Sequence, residues 1–312
     1  MGRADLLMRH RAAAAASRSA EGAAAGRRVV LRAADGAAVA GWWVDAVGPA
    51  RGVVVLVPAT GVSQRFYRRF ASWLAQQGHA VLGLDFRGIG ESRPHSLRGF
   101  DATLDHWVLD LDAALARALD EAGSGVPVAA LGHSIGGTLL FMAEQAPRLR
   151  TLVAVGAQTA HWHDFPHPQR WPMALLWHGV MPALAGTFGY FPARALGLGE
   201  DLPRGVAMQW ALRPWRPLFA DADAAARRQR TLPAVHLLAA RDDVFATPAA
   251  VDRLLAMLPG VAVQRHVIEP AAHGLARIGH FDLFRERCAA AWPLLLSRFD
   301  PHHPSLTTRT AP

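Results

Sequence analysis

The residue with the clearest chemical prospects is a serine held between glycines, in Gly132-His133-Ser134-Ile135-Gly136, with one more glycine at position 137. An apolar run, Val126-Pro127-Val128-Ala129-Ala130-Leu131, leads into it from a turn at Gly123-Ser124-Gly125 and reads as a buried strand. Thr138 to Gln145 reads as a helix stopped by Pro147. A G-x-S-x-G between strand and helix forces its serine onto a sharp turn. Only glycines two residues to either side let the strand and helix approach that closely. The hydroxyl then faces outward, and the new helix aims free N–H groups at whatever is attacked.

A serine hydroxyl is a poor nucleophile near neutral pH. It needs an adjacent base, and the base needs an orienting acid. Candidates for both come later in the chain. Asp242 and Asp243 follow the apolar run Ala234 to Ala240, and His273 and His280 follow a further strand expected over 261–268. Asp243, three residues past Ala240, is preferred as the acid, with Asp242 left to cap the following turn. His273 lies in Pro270-Ala271-Ala272-His273-Gly274, and His280 is read as standing at the start of the last helix between Gly279 and Phe281. Spacing alone does not separate them. Two backbone N–H groups must hold the oxyanion. Ile135, directly after the serine, would supply one. Thr60, in the loop after the run Gly52 to Val57, would supply the other, with Gly61 as second choice.

The elements that must position these residues alternate. A hairpin over Val29 to Val44 precedes the β-branched run Gly52 to Val57, continuous enough to be buried on both faces and therefore parallel. Phe66, Phe70, Trp73 and Leu74 mark one face of a helix closed by Gly78. Ala80 to Asp85 is the next strand, and Leu104, Val108, Leu111, Leu115 and Leu119 mark another helix before the serine strand. Such alternation predicts an α/β fold with a mostly parallel, doubly wound sheet and chemistry at the strands' C-terminal ends. The rhythm breaks at 157–230, where five of the ten tryptophans and repeated prolines predict an inserted helical cap. The expected divisions are a loose Ala/Arg-rich tail at 1–27, core at 28–156, cap at 157–230, core again at 231–299 and a polar tail at 300–312. Trp171 to Phe191 is apolar enough to raise the question of a membrane span, but His178, Pro182 and three glycines argue for a cap over an apolar pocket.

Composition excludes several classes. With 51% hydrophobic and 19% charged residues, a large core is available and global disorder is not. The net charge of +8 comes from arginine alone, for the chain has no lysine. These arginines are scattered with no basic stripe, so no nucleic-acid partner is expected. The single cysteine, Cys288, rules out an internal disulfide and a thiolate metal cluster. His161, His163, Asp164 and His167 have ligand-like spacing without a completing set elsewhere, so no metal is expected. The absence of a G-x-G-x-x-G or P-loop pattern removes nucleotide cofactors, and none is expected. His133, pointing away from the serine by alternation, reads as structural. No secretory signal is recognisable, which gives a cytoplasmic expectation.

Taken together, the strand–GHSIGG–helix, the preceding DFRGIGES over 85–92, and the late ARDDVFATP and RIGHFDLFRER segments resemble the α/β-hydrolase superfamily. The closer likeness is to bacterial predicted hydrolases related to serine aminopeptidase (S33)-like and lysophospholipase-like proteins, over most of 28–298. That resemblance implies His280 as base with Asp243 as acid. It also implies a serine hydrolase cleaving a carboxylic ester, thioester or amide through an acyl-enzyme, and the Trp-rich cap argues for an apolar moiety in the substrate. The chain departs from the group's pattern at Pro58-Ala59, where His-Gly is common, and at Asp282, where glycine is common. Two other readings keep the fold: a non-catalytic ligand-binding protein, and an acyltransferase on the same three residues.

Overall fold

The computed structural model describes residues 26–212 and 231–304. The expectations for 1–25 and 305–312, and for the part of the cap at 213–230 that includes Trp215, fall outside the described residues. Strands β1 (Arg27–Arg32), β2 (Ala38–Val44), β3 (Gly52–Val57) and β4 (His79–Leu84) open the chain, with helix α1 (Arg68–Gln76) between the last two. Arg27 therefore begins a strand instead of ending a tail. Helix α2 (Leu104–Ala122), strand β5 (Val128–His133), helix α3 (Ile135–Leu139) and strand β6 (Thr151–Val155) follow. After the insertion come β9 (Ala234–Ala240), α7 (Pro248–Ala256), β10 (Val263–Ile268) and α8 (Trp292–Phe299).

The sheet order is β1-β2-β4-β3-β5-β6-β9-β10. Pairing is parallel from β4 through β10, while β1–β2 and β2–β4 are antiparallel. β3, β4, β5 and β6 are buried along their whole length, as their uninterrupted apolar sequences require of strands covered on both faces. One face packs on α2 through Trp107, Leu111 and Leu115. The other packs on α1 and α8 through Phe70, Leu74, Trp292 and Leu295. Chain order reverses at β3, so the ends of β3, β5 and β6 form the crevice where such sheets bind ligands.

Two helices differ from expectation. The helix after the serine ends at Leu139 and tightens into a 3₁₀ turn, Leu140–Met142. Its continuation is replaced by a tertiary bond, Gln145 N–H donating to the Asp112 carboxylate at 2.9 Å. The last α-helix starts only at Trp292, after two 3₁₀ turns, so His280 lies in a loop well ahead of it.

β6 and β9 are neighbours in the sheet, yet the described residues between them, 156–212 and 231–233, add no strand to it. The described part holds α4 (Arg170–Leu175), a single π turn (Leu176–Val180), α5 (Met181–Phe188), the short pair β7 (Tyr190–Phe191) and β8 (Leu202–Pro203), and α6 (Arg204–Leu212). Among the described residues no helix is long and apolar enough to cross a membrane.

The segment 85–92 is a clasp. Asp85 accepts the Gln64 N–H at 2.7 Å and the Glu91 N–H at 2.9 Å, and Ser92 bridges the Asp85 carbonyl to the Ala40 N–H. Arg87 is buried between Asp110 and Asp35, and its carbonyl accepts the Trp107 indole N–H at 3.0 Å. This motif anchors the end of β4 and carries no reacting group.

Candidate active site

Ser134 follows β5 directly and has φ 54° and ψ −120°, a region a non-glycine residue enters only at a cost of about 1–3 kcal/mol. Its surroundings impose that conformation. A Cβ on Gly132 would lie 2.5 Å from the Gly137 nitrogen, and one on Gly136 would lie 2.5 Å from the Val57 carbonyl oxygen. Strand, turn and helix are therefore in backbone contact, and the helix also abuts the loop after β3. The Ser134 N–H donates to the Val155 carbonyl at 2.8 Å, which extends the β5–β6 ladder by one residue and fixes the serine against the end of β6.

Gly156, directly after β6, has φ +61°, and a Cβ there would lie 3.1 Å from His280 Cε1 and 3.2 Å from Asp243 Oδ2. Ser134 and the Asp243–His280 pair thus flank the same two residues, Val155 and Gly156. His280 Nδ1 and Asp243 Oδ2 are 2.8 Å apart and both side chains are buried. The other oxygen of Asp243 accepts the Phe245 and Ala246 N–H groups at 2.8 and 2.9 Å. Burial alone would raise the Asp243 pKa. The His280 hydrogen bond and charge, with the two N–H groups, outweigh it and hold the carboxyl below its usual value. An ionised Asp243 requires the proton on His280 Nδ1, which leaves Nε2 as the free acceptor.

Asp242 is not the turn cap expected of it. Its carboxylate accepts the Ile278 N–H at 2.9 Å and the Gly279 N–H at 3.0 Å, so it holds the backbone leading to His280. The turn itself is capped by Asp243. His273 ends a separate 3₁₀ turn, Pro270–His273, and is half-buried.

Ile135 opens α3, where the first N–H groups have no intrahelical acceptor. Thr60 stands in the loop that Gly136 touches through Val57 and Pro58. Its hydroxyl oxygen is buried and has no hydrogen-bond partner among the described residues.

His133 was expected to be structural, and it makes two buried contacts. It is fully buried, with Nδ1 2.8 Å from the Tyr67 hydroxyl and Nε2 2.8 Å from the His280 carbonyl oxygen. Period-two alternation reports which face a side chain takes but not what meets it there, and no local signal joins positions 67, 133 and 280.

The histidine cluster of the insertion is otherwise engaged: Asp164 gives both oxygens to Arg253, at 2.7 and 2.8 Å. Among the described residues no group of three or more His, Cys, Asp or Glu side chains is arranged to hold a metal. A column of aromatic rings runs instead from the insertion to His280. Trp177 meets Phe165 at 5.9 Å, Phe165 meets Phe245 at 5.8 Å, and Phe245 meets the His280 ring at 5.0 Å.

Residues 48–190 match the profile of a family described as serine aminopeptidase, S33. That match runs from just ahead of β3 to the first residue of β7, includes the serine turn and covers just under half of the chain. The chain has the α/β-hydrolase fold. A soluble variant of monoglyceride lipase from Saccharomyces cerevisiae, in complex with a substrate analogue, is similar at a TM-score of 0.62 and 15% identity, covering 85% of this chain and 92% of its own. An esterase from Pyrococcus furiosus is similar at 0.57 and 16%, covering 88% and 91%. The α/β hydrolase GrgF from Penicillium sp. sh18 is similar at 0.59 and 16%, covering 89% and 99%. At such identities the likeness establishes the fold. No curated protein sequence matches this chain.

Proposed function

We propose that this chain is a serine hydrolase that cleaves carboxylic esters bearing an apolar moiety, through an acyl-enzyme. The observation that carries the reading is the buried 2.8 Å bond between His280 and Asp243, set against Gly156, one residue from the carbonyl that anchors Ser134. In this reading Ser134 Oγ attacks the ester carbonyl carbon while His280 Nε2 takes its proton. Asp243 orients the ring and stabilises the imidazolium that forms. The Ile135 and Thr60 N–H groups receive the oxyanion, a contribution of about 3–4 kcal/mol per donor in comparable sites. Collapse expels the alcohol, protonated by His280. Water, deprotonated by the same nitrogen, then attacks the acyl-serine and releases the acid.

The apolar preference rests on the aromatic column from Trp177 to Phe245, which ends on the base and would line the space above Ser134 as part of a cap. Similar structures include a lipase and an esterase, which favours an ester over a peptide. The test is a panel of p-nitrophenyl esters of increasing acyl length beside aminoacyl p-nitroanilides, on wild type and Ser134→Ala. Ester turnover rising with chain length is expected, with kcat in Ser134→Ala lower by a factor on the order of 10⁴ or more. Near-normal turnover by the alanine variant would refute the assignment.

A further inference from the structure

A chain of hydrogen bonds passes beneath the serine turn. The Ala59 N–H donates to the Tyr67 hydroxyl at 3.0 Å, Tyr67 meets His133 Nδ1 at 2.8 Å, and His133 Nε2 meets the His280 carbonyl at 2.8 Å. Its direction is determined from one end. A carbonyl oxygen only accepts, so His133 carries its proton on Nε2. Burial, with the neighbouring His280, pulls the His133 pKa down to about 3, so the ring is neutral at working pH and its Nδ1 accepts. Tyr67 must then donate to Nδ1 and accept from Ala59. Every donor and acceptor in this buried line has one consistent role.

We propose that Tyr67 and His133 are positioning residues for the reaction, tying the loop that presents the Thr60 N–H to the backbone of the base, across the residue beside the nucleophile. The proposal rests on the serine-hydrolase reading above. Ala59 is pinned on both sides, its N–H by Tyr67 and its carbonyl by the Val62 N–H at 3.2 Å. The peptide joining Ala59 to Thr60, which carries the oxyanion donor, therefore has its orientation set. His280 is likewise pinned twice, its carbonyl by His133 and its ring by Asp243. His133 is the residue before Ser134, so one line of bonds sets donor loop, nucleophile and base relative to one another. Packing alone does not call for it. Tyr67 sits edge-on to Phe66, at 5.0 Å, and to Phe284, at 5.1 Å, contacts that a phenylalanine ring would also make. The phenolic oxygen, by contrast, is a polar group buried at a cost that only its partners offset.

Tyr67→Phe removes that single atom and keeps the ring. With p-nitrophenyl butyrate, kcat is expected to fall by about 10- to 100-fold with KM changed by less than about 3-fold, since a misaimed oxyanion donor acts on the transition state and not on ground-state binding. His133→Ala should lower kcat by a similar factor. The double variant should be no worse than the more impaired single, because both break one chain. A purely structural tyrosine would lower the melting temperature and leave kcat intact. Should His133→Ala not fold, Tyr67→Phe decides alone. Fluorophosphonate labelling of wild type separates the two levels. No adduct at Ser134 overturns both readings, whereas normal labelling of wild type with wild-type kcat in Tyr67→Phe overturns the relay only.

Discussion

At the scale of single residues, the two adjacent aspartates divide the work of holding His280. Asp243 binds the imidazole and Asp242 binds the backbone that carries it, so their variants should differ in kind. Asp243→Asn keeps the shape but stabilises the wrong tautomer and the uncharged state, and should lower kcat by a factor on the order of 10³–10⁴. Asp242→Ala loosens Ile278 and Gly279 and should cost about 10-fold through a slightly misplaced ring. Steady-state kinetics on both variants checks the ranking, and equal losses would mean the roles are not separate. Asp243 could be preferred from its offset past Ala240, but Asp242 was misjudged because its partners lie 36 and 37 residues on. His280 and His273 could not be told apart by spacing, since each follows β10 in a glycine-containing loop. What distinguishes them is a pairing across the sheet. His133 could be read as structural, but its partners could not be named, for the same physical reason. Its partners come from an element far earlier in the chain and a loop far later, and local periodicity carries no information about either.

At the scale of elements, the serine turn exists because three glycines let backbone touch backbone. Gly136→Ala would drive a methyl group to 2.5 Å from the Val57 carbonyl oxygen, a contact that no rotamer change relieves. An expected loss of about 2–3 kcal/mol, accompanied by lower turnover, can be read from a denaturant melt and an ester assay on the same preparation. Unchanged stability would mean that α3 can move away from β3 freely. Strands were the most legible elements, because Gly52 to Val57 and Val128 to Leu131 are apolar without interruption. Helix ends were less so. The segment 140–145 has the composition of a helix, yet Asp112 takes the Gln145 N–H that would have continued it. Residues 282–291 likewise form 3₁₀ turns before Trp292, whose indole N–H is committed to the Leu283 carbonyl at 2.7 Å.

At the scale of the whole molecule, a parallel sheet was legible from alternation, while the order β4-β3-β5 was not, because register between distant strands leaves no local trace. Burial of titratable groups in that sheet also sets the response to acid. His133 has a folded pKa of about 3, and an unfolded histidine titrates near ~6.5. Between these values the unfolded chain binds the extra proton, so the contribution of His133 to stability is complete above about pH 6.5 and is lost as pH falls toward 3. Asp35 acts lower. Its hydrogen bond from Arg87 brings its pKa down to about 2, so its contribution persists above the ordinary carboxylate value and disappears as pH falls through about 2. Thermal melts from pH 7 to pH 4 should therefore show stability falling by up to about 1.4 kcal/mol per pH unit for each buried histidine of this kind, with a shallower slope in His133→Gln. An unchanged slope in that variant would place the acid sensitivity elsewhere.

The account stands on Ser134 being an activated nucleophile, and fluorophosphonate labelling of the full-length protein, with mass mapping of the adduct, tests that most directly. One adduct per chain on Ser134, abolished by prior denaturation and by Ser134→Ala, is the predicted result. Well-folded protein that takes no adduct, or takes it at another residue, would contradict the account and point to a protein that uses this fold to hold a ligand.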